Sequence, residues 1–415
     1  MHQPLARSPR APSFGEFVAL IGLMMGLTAL SIDNLLPAFG PIQAGFGIAD
    51  DNELQLVVTS YMMGFGLMQL VYGPLSDSIG RRPVLMLGLA VFAAGTALAM
   101  IAWTFPMLLT ARAVQGMGAA AARVLAVAIV RDRYEGREMA RVMSLTMIVF
   151  ITVPIVAPVM GSLILLAGSW RLIFACMLTL ALVVAAWFGL RMPETLHPEY
   201  RRALSPRAIA AAIRMSVNDR ASLGYSTAVA LMMGCLMAYI SSAQQIFETS
   251  VFRLGPWFPA AFAVIAAVMG VASFVNARLV RRLGMRRLSH AGLCGFAAVS
   301  AVLCVAAFAF DGAPPLLLFG FLLAAAQFLF GLIMPNFNSM AMEPLGAVAG
   351  TASSFIGFYT ILLGTSLGMV VGQAFDGTVV PLSLGYLALS AVAVLVVLWA
   401  ESGRLFVPHH EAPGT

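Results

Sequence analysis

Twelve apolar runs constrain this chain more than any other feature. They centre near residues 16–38, 54–76, 83–102, 105–130, 142–166, 170–191, 221–246, 257–280, 288–310, 314–338, 348–374 and 380–401. Each is long enough to cross a bilayer, which takes about 20 predominantly apolar residues in a helix. Lipid offers backbone groups no partner, so each run must satisfy its own hydrogen bonds, and a helix does so. The expected class is therefore an all-α membrane protein of twelve transmembrane helices. Composition agrees. Of the 415 residues 60% are hydrophobic and 10% charged, against about 25% charged in a soluble domain. A cytosolic enzyme, a secreted domain and a disordered tail protein are all excluded by that balance.

Most connections are short. The exception is the polar stretch 192–220, which divides the chain into six spans and six: an N-terminal bundle (1–191), a linker (192–220) and a C-terminal bundle (221–415). All 24 basic residues are arginine. A P-loop needs lysine at the nucleotide phosphates, so the chain is not itself an ATP-driven pump, and a lysine Schiff base is excluded too. Arg7 and Arg10 precede span 1, and arginines then follow spans 2, 4, 6, 8 and 12. This one-sided distribution is a topology signal rather than a nucleic-acid surface, and it predicts that both termini and the linker are cytoplasmic. The basic N-terminus before an apolar run reads as an uncleaved first helix. Cys176, Cys235, Cys294 and Cys304 lie in apolar runs at no metal-binding spacing and read as small core residues. No metal or cofactor is expected.

The two halves also repeat. A shift of 204 residues superposes Leu75, Gly80, Arg82, Gly88 and Leu89 on Leu279, Gly284, Arg286, Gly292 and Leu293. Parallel repeats around a midplane site are a common plan of secondary transporters.

Charges inside the runs mark candidate chemistry. Asp33 lies toward the outer end of span 1, four residues before Pro37, and an intramembrane carboxylate is functional by default. Burial opposes its charge and a nearby arginine favours it, so a group balanced that way can trade a proton for a substrate. Arg112 in span 4 lies at comparable depth. It either tunes Asp33 or forms a static ion pair with it; the carrier role is preferred, because buried pairs stabilise poorly. Candidates for a substrate pocket are Asn34, Tyr61, Gln115, Tyr239, Gln244, Asn336 and Tyr359, although each alone also fits helix-to-helix packing.

The segment Gly73–Pro83 reads G-P-L-S-D-S-I-G-R-R-P. Gly73 permits a close helix approach, Asp77 can pair with Arg81 or with bases after span 4, and Gly80 permits a reversal. Together with Arg82 these form a candidate conformational latch. The string resembles motif A of the major facilitator superfamily. L-L-T-A-R-A-V-Q-G-M-G-A-A in span 4 is similar to that superfamily's motif B. Pro154–Ser162 in span 5 looks like its exporter-associated motif C, with Ala157 where glycine is usual. Pro154, Pro158 and Gly161 would then mark an antiporter helix. S-I-D-N-L-L-P-A (31–38), A-I-V-R-D (128–132), P-E-T-L (193–196), N-A-R-L-V-R-R-L-G (276–284) and the run 335–350 resemble the Bcr/CflA drug-resistance branch. The resemblance implies two six-helix bundles closing alternately around a central cavity. It also implies a monomeric, proton-coupled exporter of the bacterial inner membrane. Its partners would be protons, lipid and a small lipophilic or amphiphilic substrate, bicyclomycin and phenicols among them; nucleic acid is not one. A polar or anionic metabolite such as an amino acid is the alternative cargo.

Arg123 departs from that branch, where a small or apolar residue is usual. It lies eleven residues after Arg112 on the same face of span 4. Either it meets an acidic substrate group or it snorkels to the headgroups. G-T-S-L-G (364–368) matches a hydrolase elbow but sits mid-span, and Gly357, Gly364, Gly368 and Gly372 read instead as a packing stripe. All five histidines fall in tails, loops or a span edge. An intramembrane enzyme is disfavoured, and a non-transporting membrane receptor or scaffold is the remaining rival.

Overall fold

A computed structural model describes residues 12–201 and 204–406. Arg7, Arg10 and Arg202 of the topology pattern lie outside the described residues, as do His2, His409 and His410. Among the described residues there are no strands. Twelve helical segments are long and apolar enough to span a membrane: Phe14–Phe46, Asp51–Ile79, Arg81–Met100, Phe105–Arg133, Gly136–Ala167, Arg171–Arg191, Arg220–Thr249, Gly255–Leu283, Met285–Ala309, Leu316–Gly346, Ala349–Gln373 and Val380–Ala400. They are numbered as spans 1 to 12. Their outward side chains are largely apolar, as at Leu166, Leu317 and Phe321, which suits lipid as solvent.

The chain divides into two compact units. One holds the residues up to Pro41 and Gly64–Pro206, and the other holds Ile42–Met63 and the residues from Arg207 onward. The segment Ile42–Met63, placed in the N-terminal bundle by sequence, thus groups with the second unit. The polar stretch between the six-span halves is not all coil: Pro206–Asn218 is a helix.

Each unit is built on the same contact plan. In the first, span 1 packs on spans 4, 5 and 6, and span 3 on spans 4 and 6. In the second, span 7 packs on spans 10, 11 and 12, and span 9 on spans 10 and 12. The repeat read from the sequence is thus a repeat of packing. The turns agree as well. Gly80 (φ 113°, ψ 157°) and Gly284 (φ 78°, ψ 160°) precede spans 3 and 9 directly. Both sit at positive φ, where a side chain would be strained.

Small residues set the close approaches. A Cβ at Gly118 would come within 2.1 Å of the Phe92 backbone nitrogen, and one at Gly95 within 2.4 Å of the Gln115 nitrogen. Spans 3 and 4 therefore meet backbone to backbone. In span 11, Gly364 and Gly368 seat Met233 and Met237 of span 7, so that part of the glycine stripe is packing. The hydrolase-like string is plain helix there. One expectation about cysteine is corrected. Cys235 and Cys304 are buried, but Cys176 and Cys294 are exposed. An apolar run in a membrane protein faces lipid as often as core, so hydrophobic context alone does not imply burial.

Candidate functional site in the first unit

Span 1 is not one continuous helix. Its α-helix ends at Asp33, a single 3-10 turn runs over Leu36–Ala38, and helix resumes over Phe39–Phe46. Pro37 explains the break: it lacks the amide that would bond the Asp33 carbonyl. Asp33 therefore sits at an interior break of this helical segment, with thirteen more residues of the segment beyond it. The sequence reading missed this because the polar and small residues of 39–46 lower the local hydropathy. Asp33 is only 4% exposed. Among the described residues it takes part in no ion pair, so the static bridge to Arg112 does not form.

Arg112, fully buried, turns elsewhere. Its guanidinium donates to the Ser31 carbonyl at 2.9 Å and to the Gln115 side-chain oxygen. Gln115 in turn donates to Thr96 Oγ1 at 2.8 Å. A charged group thus ties span 4 to span 1 two residues from Asp33, while Gln115 ties span 4 to span 3. On the other flank, Gly161 of span 5 lies against Asn34. A Cβ there would come within 2.1 Å of the Asn34 carbonyl oxygen. Pro154 and Pro158 lie inside the unbroken helix Gly136–Ala167 that carries Gly161. The break in span 1 is consequently held between Arg112 and Gly161. Asn34 Oδ1 is buried there without a hydrogen-bond partner.

Arg123 turns across to span 5, where its guanidinium carbon lies 4.8 Å from the centre of the Phe150 ring. The remaining candidates are dispersed. Tyr61 is buried in the part of span 2 that belongs to the second unit. Tyr239 stacks on Phe262 at 5.7 Å. Gln244 is buried at the end of the span 7 α-helix, next to a π turn over Gln245–Thr249. Asn336 donates to Asn276 at 2.7 Å, joining spans 10 and 8. Tyr359 meets Thr227 at 3.0 Å, joining spans 11 and 7. Sequence reasoning missed the amides beside Gln244. Gln55 donates to Gln245 at 2.6 Å, and Gln245 to Asn52 at 2.7 Å.

The G-P-L-S-D-S-I-G-R-R-P segment builds a second charged centre. Arg81 is 4% exposed. It pairs with Asp77, binds Asp132 at 2.9 Å, and donates to Ser76 Oγ at 2.7 Å. Ser76 bonds back to the Gly73 carbonyl. Glu194 accepts from the backbone amides of Arg81 (2.8 Å) and Arg82 (3.1 Å). That caps span 3 with a carboxylate where the helix dipole favours one. Arg82 reaches the Gly189 carbonyl at 2.6 Å. Asp132 and Glu194 were not singled out from the sequence. Both stand in quoted strings, A-I-V-R-D and P-E-T-L, and a lone acid among the arginines of a span end was the available signal.

The second unit has a counterpart. Arg286 binds Glu401 at 2.9 Å and Glu343 at 3.3 Å. Tyr225 donates to Glu401 and meets His290 Nε2 at 2.9 Å, and His290 Nδ1 accepts the Phe406 amide at 3.1 Å. His290, set aside from the sequence as a span-edge residue, is buried within this chain of bonds.

Residues 21–372 match the family model described as "Major Facilitator Superfamily". The chain belongs to that superfamily. It is a multi-pass membrane transporter and not an enzyme. It is 28% identical over 397 residues to a bicyclomycin resistance protein homolog of Haemophilus influenzae, covering 94% of this chain and 97% of the relative. It is 25% identical over 399 residues to multidrug resistance protein D of Escherichia coli, covering 92% and 95%. Among solved structures, a D-xylose–proton symporter superposes with a TM-score of 0.73 at 15% identity, over 95% of this chain and 98% of the symporter. That likeness is one of fold.

Proposed function

We propose that this transporter exports small lipophilic or amphiphilic molecules across the bacterial inner membrane in exchange for protons, with Asp33 as the proton carrier. One observation carries the reading: a buried carboxylate without an ion pair, at a helix break held between Arg112 and Gly161. An unpaired charge is costly in such surroundings, so the group gains from taking a proton or from meeting water or a cation. Opening to one side hydrates Asp33 and lets its proton leave; closing favours protonation again. Arg112 adds a fixed positive field, and its bonds to Ser31 and Gln115 couple Asp33 to spans 3 and 4. Gly161 links the same point to span 5, so a ligand-driven shift of that helix bears on the proton site. The names of the two drug-resistance relatives support the substrate class.

In this reading the chain works as a monomer with both termini cytoplasmic. The Arg81 centre serves as a latch that is made in one state and remade in another, and its loss shifts populations rather than removing the site. Asp33→Asn tests the carrier. In inside-out vesicles, uptake of bicyclomycin and phenicols driven by an imposed pH gradient should fall to background, while Asp33→Glu keeps part of it. Wild-type, gradient-dependent uptake by Asp33→Asn removes Asp33 from the role.

A further inference from the structure

Three arginines of the first unit are answered by polar groups of the chain. Arg81 has Asp77 and Asp132, and Arg191 has Glu16 at 2.7 Å. Arg112 has the Ser31 carbonyl and Gln115. Arg123 differs. Among the described residues it takes part in no ion pair, and its Nη1 is buried with no hydrogen-bond partner. Its guanidinium lies over the face of Phe150.

Its depth makes that arrangement informative. Arg123 lies eight residues before Arg131 at the end of span 4, about 12 Å along the helix at 1.5 Å per residue. A guanidinium so deep is costly, and stacking on one ring returns only part of that cost. The surroundings are also fixed in place. Span 5 is seated on span 1 on either side of Phe150: Val149 fills the space over Gly22, and Val153 that over Gly26. Ala121 packs against Gly88 of span 3 and anchors span 4 from the other side. The guanidinium is thus held against an aromatic face with hydrogen-bonding capacity unspent. A planar fork of N–H donors in that state matches a carboxylate.

We propose that Arg123 and Phe150 form the subsite for an acidic group of the transported molecule. The preferred substrate is then an amphiphile carrying a carboxylate beside an aromatic or apolar body. The proposal names the substrate class for the export reading and needs no assumption about Asp33.

The test is ligand-induced stabilisation of the purified protein in phosphatidylcholine nanodiscs. The probes are 2-naphthoate, salicylate and N-acetylphenylalanine, each beside its primary amide. A ligand that binds the folded form raises the melting temperature by mass action. At least one acid should stabilise the wild type more than its amide does. Arg123→Gln should weaken that acid about tenfold or more and leave the amide unchanged, while Arg123→Lys keeps part of the preference. Glutamine removes a buried charge, so this variant is not expected to unfold, and its own melting curve reports on that. The proposal is overturned if no acid exceeds its amide, or if the preference persists in Arg123→Gln. It is equally overturned if phosphatidylglycerol in the nanodisc abolishes the acid effect in an Arg123-dependent way, which assigns the cation to a lipid headgroup. The assay uses no proton gradient, so a failure of Asp33 as carrier and a failure of this subsite give separate results.

Discussion

The two units share a contact plan and differ in what they bury. The first carries Asp33, Arg112 and Arg123 well inside its spans. At comparable positions the second has amides and phenols: Gln327, the Asn276–Asn336 pair, Tyr239 and Tyr386. Its charges gather at span ends. A duplicated scaffold thus bears two chemistries. Charge well inside the spans is concentrated in one half, and the other offers neutral hydrogen-bonding groups there. Packing geometry therefore says where a site can be, while the few residues that interrupt the apolar pattern say what each half can do.

The sharpest way to break this contrast is to remove charge from the first unit. Arg112→Leu should lower transport at least ~100-fold, because it strips the field beside Asp33 and leaves the Gln115 oxygen and the Ser31 carbonyl unpaired in the interior. Uptake in inside-out vesicles measures it. Gly161→Leu should cost about tenfold or more, since the new side chain meets Asn34 backbone and spans 1 and 5 must part; expression level and ligand-induced stabilisation separate misfolding from lost cycling. The span-end centres give a matched pair. Arg81→Ala should destabilise by about 2 kcal/mol, less than for a fully buried pair because Asp77 and Asp132 retain some water. Arg286→Ala should cost less, since Tyr225 still bonds Glu401; thermal unfolding in one detergent compares the two. The smallest effect belongs to Asn336→Leu, which leaves Asn276 short of one donor and should cost about 1 kcal/mol with transport nearly intact. A large loss of transport in Asn336→Leu would give the neutral half a direct part in the cycle.

Much of this was legible in the sequence. The twelve runs, the reversal at Gly80 and its echo at Gly284 follow from apolar length and glycine placement, which are local properties. Asp33 and Arg112 stood out because charge inside such a run is costly. What the sequence hid were partners. Asp132 and Glu194 meet Arg81 across 51 and 113 residues of chain, and no periodicity encodes a contact between helix ends. The break after Asp33 was half visible: Pro37 was noted, but the glycine- and proline-containing stretch past it looked like the end of the span. The grouping of Ile42–Met63 with the second unit was invisible: the amide bonds that join Gln55 and Asn52 to Gln245 span 190 and 193 positions of chain. His290 was passed over for the same reason, its meaning lying in Tyr225 and the Phe406 amide.

The central claim is that the proton moves through Asp33, and proton flux tests it most directly. Inside-out vesicles with an acidified interior and a pH-sensitive dye should release protons when a transported compound is added to the wild type. In Asp33→Asn that release should vanish, while exchange of labelled compound across the same membrane continues, because an amide cannot cycle a proton. Substrate-induced proton release at the wild-type rate in Asp33→Asn would contradict the account.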